Sequence, residues 1–400
     1  MRTAYKVRVY PTAEQVAVLN RTFGCVRLVW NTVLAWRQAR YRDESVRTSY
    51  AQTDRYLTEL KRDGGHDFLY EVSSVPLQQA LRHQHTAFVN FFAGRAKYPR
   101  FKSRHGRQSA TYTRSAFRWR GGRLFLAKMD DPLEFVWSWP EVDPATINPT
   151  TVTVSRDSDG RWYVSLAVET ATGPESLPAT GGQVGIDLGV THFAVLSTGE
   201  KIPNPRHLER KARNLARYQR RMARKQRGSN NRAKARAKVA RAHTKVREAR
   251  ADFLHRTSTR LVRDHDLIVI EDLNIEGMVR NHCLARAISD CGWGEFRRQL
   301  EYKTQRYGRH LVMIDRWYPS SKTRSACGHL LAELSLSTRH WTCPDCGTRH
   351  DRDVNAAKNI LAAGRAVYAC GADVSPQGAS LRWSAMKQEA QPVRAGIPVL

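Results

Sequence analysis

Val184-Gly185-Ile186-Asp187-Leu188-Gly189-Val190 sets one acid in the middle of a short apolar run, with glycine on both sides. A run of this length reads as a buried strand. Such a strand does not carry a lone carboxylate, because desolvating the charge costs several kcal/mol or lifts the pKa until the group is neutral. Asp187 therefore predicts a partner, and a cation answers best. Leu267-Ile268-Val269-Ile270 repeats the apolar pattern and ends in Glu271-Asp272-Leu273-Asn274. A third acid, Asp353, stands where His350-Asp351-Arg352-Asp353-Val354-Asn355-Ala356-Ala357 opens a helix with an Ala-rich face. If the fold gathers Asp187, Glu271 and Asp353, their hard oxygens suit Mg²⁺ or Mn²⁺, and a pair of such ions stabilises both the attacking and the leaving oxygen of a phosphodiester. Taken singly, Glu271 and Asp353 read as an ordinary strand-end acid and a helix cap; Asp187, between glycines, does not.

The surrounding chain of 400 residues is long enough for two or three domains with a full core. It carries 66 Lys+Arg against 37 Asp+Glu, a formal net charge of +29. A compact protein so charged repels itself unless a polyanion is present, and nucleic acid is the natural one. An anionic membrane would also answer the charge, yet no apolar run approaches the roughly 18 residues of a spanning helix. Met1-Arg2-Thr3-Ala4-Tyr5-Lys6-Val7 lacks the apolar core of a signal peptide, which predicts a cytoplasmic protein. Seven cysteines then argue for thiols and metal ligands over disulfides. Cys25, Cys283, Cys291 and Cys370 stand apart, whereas Cys327, Cys343 and Cys346 cluster.

Along the chain, residues 5–10 alternate as a half-buried strand, and Thr12 with Gln15 gives a capping signal for a helix whose apolar positions run from Val16 to Leu34. Further helices are predicted over 53–62 and 74–92. The segment 97–104 interleaves Lys97, Arg100, Lys102 and Arg104 with Tyr98 and Phe101 around a proline. That mixture either pairs phosphates with cations while rings stack on bases, or is a basic loop anchored by two aromatics. From 109 to 169 short alternating strands suggest a small barrel or sandwich, and the Gly-, Pro-, Ser- and Thr-rich stretch 172–182 marks a boundary. After the Asp187 strand, residues 192–196 and 200–202 complete a three-stranded meander. From Arg206 to Arg250 the only acids are Glu209 and Glu248, and apolar positions recur every three and four residues on both sides of Gly228-Ser229-Asn230-Asn231. This predicts an antiparallel helical hairpin whose like charges at i,i+4 want a bound polyanion. Arg217, Arg220, Arg221, Arg224, Lys225, Arg232, Lys234, Arg236 and Lys238 are its candidate nucleic-acid contacts. The remaining order of strand, helix, strand and a final helix carrying Asp353 matches an RNase H-like layer of sheet and helices.

Gly185-Ile186-Asp187-Leu188-Gly189, Ile270-Glu271-Asp272-Leu273-Asn274 and the Asp351-to-Ile360 stretch around Asp353 resemble, in the same order, the three RuvC motifs of the TnpB proteins of insertion sequences, relatives of the compact type V CRISPR effectors. The resemblance covers most of the chain, including 97–104, the basic hairpin and Ser320-Ser321-Lys322-Thr323. It implies a multidomain α/β protein. A split β-barrel wedge domain would span 1–10 and 95–171, with a helical recognition region inserted at 11–94. A linker at 172–182 would lead to an RNase H-like (RuvC) nuclease domain over 183–318 and 351–368, including the hairpin at 205–264. A zinc-finger-like insert would fill 319–350, and a mobile tail 369–400. It implies RNA-guided DNA cleavage, in which a transposon-encoded guide RNA pairs with double-stranded target DNA beside a short duplex motif. Asp187, Glu271 and Asp353 would then be the catalytic acids holding Mg²⁺ or Mn²⁺.

One departure stands out. The family's finger begins with a Cys-x-x-Cys pair, but Arg324 takes the first position in Thr323-Arg324-Ser325-Ala326-Cys327-Gly328, while Cys343-Pro344-Asp345-Cys346 is intact. Structural zinc takes four closed ligands. Cys327, Cys343 and Cys346 supply three, leaving His329, His340 or water for the fourth, and zinc binding stays open. Two other functions compete with the guided nuclease: a guide-dependent DNA-binding regulator that does not cut, and a strand-transferring transposase that needs no guide.

Overall fold

A computed structural model describes residues 2–169, 176–335 and 338–370. Contacts divide the chain into two units, Met1–Gly173 with Ala212–Lys245 and Pro174–Lys211 with Val246–Leu400.

The first unit begins with β1 (Arg2–Val9), followed by α1 (Ala13–Glu44), α2 (Tyr50–Arg62) and α3 (Ser74–Phe92). Thr12 and Gln15 close the predicted capping box at the start of α1, and the helix stops where Ser45 turns left-handed at φ 55°. Leu19, Phe23, Val26, Val29 and Val33 line the buried face of α1. The strands are β2 (Gln108–Thr113), β3 (Phe117–Arg120), β4 (Arg123–Leu126), β5 (Phe135–Val136), β6 (Pro149–Arg156) and β7 (Trp162–Glu169). The expected barrel is an open antiparallel sheet in the order β2-β6-β7-β1-β5, with β3 and β4 forming a separate ribbon. Closure fails because β5 is two residues long and pairs only with the end of β1, while α1 and α3 pack along the β2 edge. Tyr5, Val7 and Val9 alternate inward and share one core with Tyr112, Val152, Val154, Val164 and Leu166.

The second unit is built on β8 (Gln183–Leu188), β9 (His192–Leu196) and β10 (Lys201–Pro203), the predicted meander. The hairpin follows as α4 (His207–Ala223) and α5 (Asn230–Asp264), then β11 (Leu267–Glu271), α6 (Ile275–Met278), α7 (Ala285–Cys291), α8 (Trp293–Tyr307) and β12 (His310–Ile314). The short strands β13 (His340–Thr342) and β14 (Arg349–Asp351) precede α9 (Arg352–Ala369). The sheet order is β10-β9-β8-β11-β12, with β8, β11 and β12 parallel. On one face Val184, Ile186, Ile268 and Ile270 pack with Leu254, Leu261, Phe296 and Leu300 from α5 and α8. On the other, Val269, Val312 and Ile314 pack with Ile360 and Leu361 of α9. The helix lies very close there. A Cβ on Gly185 would come 2.2 Å from the Ala357 carbonyl oxygen, and one on Gly364 would come 2.3 Å from Val269 Cγ1. Glycine at both positions lets backbone meet sheet.

Two expectations change. The hairpin does not sit wholly with the second unit, since Ala212–Lys245 groups with the first; a helix of 35 residues is about 50 Å long, far longer than five-residue strands. The described part of the supposed linker, 176–182, is tied down. Thr180 and Gly181 donate backbone N–H groups to Asp266, at 2.9 and 2.7 Å, just before β11. Residues 170–175 and the expected tail from 371 onward lie outside the described residues. Among the described residues, no helix is long and apolar enough to cross a membrane.

Candidate catalytic centre

In the parallel pair β8–β11, Ile186 lies opposite Ile270, so Asp187 and Glu271 follow side by side at the strands' carboxyl ends. Alternation puts both on the face of Gly185 and Val269, the face that α9 covers. Ala357 sits over Gly185, and Asp353 is one helical turn earlier, at the start of α9. The three acids thus converge at the mouth of an open α/β sheet, where such folds place their ligands.

The charges report the same convergence. Burial, then the negative charges of Glu271 and Asp353, push Asp187 up to about 7, with Arg352 and Arg339 opposing. Burial also raises Glu271, whose Oε1 accepts a 2.6 Å hydrogen bond from the Ser320 hydroxyl. Asp353 Oδ1 lies 3.5 Å from Arg339 Nη1. The acids' oxygens are not gathered within 4.8 Å of one another; among the described residues that closeness is reached by Cys327, Cys343 and Cys346. Like charges repel, and Ser320 and Arg339 each hold one acid by a protein partner. Three carboxylates coupled in one place are the donor set that hard divalent cations take, so the residues fit Mg²⁺ or Mn²⁺.

Neighbouring acids have other jobs. Asp272 faces Arg297 at 2.6 Å and Arg316, and these hydrogen bonds overcome its burial to hold it below the usual carboxylate range. Asp351 caps α9, accepting from the N–H groups of Asp353 and Val354 at 3.1 Å, while Lys201 Nζ lies 2.5 Å from its other oxygen. Burial opposes, but these partners keep Asp351 ionised below its ordinary pKa. Sequence reasoning gives Ser320 and Asp351 no role. The signal for Asp351 was its place two residues ahead of Asp353 at a helix start; Ser320 offers none, since its contact spans 49 residues.

The cysteine region forms two similar turns. Gly328 N–H donates to the Arg324 carbonyl and Gly347 N–H to the Cys343 carbonyl, both at 2.9 Å, with both glycines at positive φ. Cys327 Sγ is 3.8 Å from Cys343 Sγ. Neither suggested histidine joins the three sulfurs. His329 Nδ1 is 2.5 Å from Asp345 Oδ2, and His340 Nδ1 is 3.9 Å from Asp351 Oδ2. Arg324 is fully buried, with Nη1 2.8 Å from Cys343 Sγ. Three thiols and a guanidinium, which has no acceptor atom, are not a closed zinc set.

Of the candidate nucleic-acid contacts, Lys97, Arg100 and Arg104 are exposed, as are Arg217, Arg220, Arg221, Arg224, Lys225, Lys234, Arg236 and Lys238. Two are turned inward. Lys102 Nζ lies 4.0 Å from the centroid of the Trp30 ring, its backbone pairs with the Asn31 side chain, and burial lowers its pKa. Arg232 Nη1 donates to the carbonyls of Met222 and Lys225, closing the end of α4. Arg37 lies on the buried side of α1. It is buried over the Phe88 ring with Nε and Nη2 unpaired, and burial lowers it to about 10.

Comparison with known proteins gives three family matches: "Probable transposase" over residues 163–282, "Cas12f1-like, TNB domain" over 293–360 and "Helix-turn-helix domain" over 1–45. The last span holds β1 and the single helix α1. A protein of Streptomyces pristinaespiralis, "Putative RNA-guided DNA endonuclease", is 56% identical over 100% of this chain and 99% of its own length. "Putative RNA-guided DNA endonuclease InsQ" of Escherichia coli (strain K12) is 33% identical over 92% and 94%. Among solved structures, a chain of "Cryo-EM structure of the Cas12f1-sgRNA-target DNA complex" superposes with a TM-score of 0.55 at 12% identity, over 90% of this chain and 98% of that one, a likeness of fold.

Proposed function

Because this chain belongs to the TnpB family of insertion-sequence proteins, we propose that it is an RNA-guided DNA endonuclease whose cutting centre is Asp187, Glu271 and Asp353. The observation that carries the assignment is the coupling of Asp187 to the charges of Glu271 and Asp353 at one end of the β8–β11 pair. Divalent ions held there would supply an activated water and neutralise the leaving oxygen. Asp187 and Glu271 offer oxygens from two rigid strand ends. Ser320 fixes Glu271 through a hydrogen bond to Oε1. Asp351 and Lys201 hold the first turn of α9, and through it Asp353. The exposed cations of 97–104 and of the hairpin would grip the phosphates of guide RNA and target DNA, while base pairing reads the sequence. The domain division given above is proposed with it, the wedge being an open sheet.

The test is incubation of the protein–RNA complex with a target plasmid and Mg²⁺. Linear product is expected from the native chain, and Asp187→Ala should bind the plasmid yet leave it circular. Unchanged cutting by that variant would refute the site. A native complex that binds without cutting would establish a regulator instead, and joined donor–target product in the absence of RNA a transposase.

A further inference from the structure

Arg324 is the side chain around which the cysteine region closes. Its backbone occupies the place in the first turn that Cys343 occupies in the second, with the same carbonyl-to-glycine hydrogen bond at 2.9 Å. A side chain leaving that position is aimed where a fourth metal ligand would be. Arg324 follows that direction: it is 0% exposed, its Nη1 donates to Cys343 Sγ at 2.8 Å and to Asp345 Oδ2 at 3.0 Å, and its guanidinium carbon lies 5.3 Å from the centroid of the Trp341 ring. Nε and Nη2 are buried there too, without a hydrogen-bond partner.

We propose that the Arg324 guanidinium closes this knuckle in zinc's place, so that the three-cysteine cluster of this chain holds no structural zinc. A guanidinium keeps its charge at any physiological pH and can only donate. It therefore cannot ligate a metal, and a dication among the same sulfurs would have to share a buried space with it. What zinc would do for the turns, holding Cys343 to the opposite strand segment with a positive charge, the arginine does by hydrogen bonds. Asp345, its other acceptor, lies between the last two cysteines and also receives His329, so both turns are tied to the arginine through protein atoms alone.

The experiment is metal analysis of the full-length protein with its RNA, purified without chelator, beside Arg324→Cys prepared identically. The native chain should carry less than about a tenth of an equivalent of zinc, and Arg324→Cys about one, because that variant restores four thiol ligands. Zinc near one equivalent in the native chain, retained through dialysis, overturns the proposal. Should Arg324→Cys fail to fold, cobalt(II) titration of the native protein decides. No thiolate-to-cobalt charge-transfer band supports the guanidinium closure, and a band saturating at one equivalent overturns it.

Discussion

Gly185→Ala tests the claim that α9 is seated on the sheet by the absence of one methyl group. The new Cβ would lie 2.2 Å from the Ala357 carbonyl oxygen, 2.6 Å from Leu361 N and 2.8 Å from Leu361 Cβ. The first of these is more than an ångström short of ordinary contact, and the two nearest obstacles are backbone atoms that cannot rotate away. Overpacking of this kind costs about 1–3 kcal/mol. At roughly 2–4 °C per kcal/mol for a unit of this size, the melting temperature should fall by several degrees. The larger effect is on cutting. Asp353 rides on the same helix one turn before Ala357, so an ångström of retreat moves it away from Asp187, and a misplacement of that size costs about 10²-fold in rate. The assay is single-turnover plasmid cleavage by the RNA-loaded protein at saturating Mg²⁺, with Gly24→Ala as control. A Cβ at Gly24, inside α1, meets nothing within 4 Å, so that variant should cut normally. Wild-type cutting and melting by Gly185→Ala would refute the close approach and, with it, the placement of Asp353.

Three further outcomes are expected. Ser320→Ala should slow cleavage about fivefold without loss of target binding, since it removes one hydrogen bond, worth about 1 kcal/mol, from Glu271; single-turnover rates beside filter binding would show it. Lys303 is buried among the His255 carbonyl and the hydroxyls of Ser258 and Thr259, and burial lowers it to about 8. The unfolded chain therefore binds more protons than the native one between about pH 8 and 10.4, so the contribution of this lysine to stability rises with pH across that window and is flat below it; denaturant melts of native and Lys303→Met protein, subtracted, should trace that rise. Replacing the exposed Arg220, Arg221 and Arg224 by Gln should flatten the dependence of log K on log salt for guide RNA by up to about 2, at roughly 0.7 per lost phosphate contact; an unchanged slope would place the RNA elsewhere.

Asp187 was legible because a charge inside an apolar run violates a simple solvation rule, and the order of elements from Gly185 onward followed from periodicity. Without the motif resemblance, Glu271 and Asp353 were not separable from a strand-end acid and a helix cap until register and the seat of α9 put them at the same end of the sheet as Asp187. Gly185 could be read as a flanking glycine, but its reason is a helix arriving 172 residues later in the chain. The partners Ser320, Lys201 and Arg339 are likewise non-local, so no spacing announces them. Lys102 and Arg232 show the limit of counting cations: one lies on Trp30 and the other caps its own hairpin. The barrel expectation failed because strand patterns fix which residues face inward and do not fix whether a sheet's two edges meet.

Because α9 follows both basic surfaces and the other two acids in the chain, the order of synthesis matters. A ribosome releases both basic surfaces and two of the acids before it reaches Arg352. Copies truncated by a frameshift or stop codon upstream of that point would lose the third acid and uncover Val269 and its apolar neighbours. On the proposed function, such truncated copies should be poorly soluble chains that keep their exposed cations but no longer cut DNA.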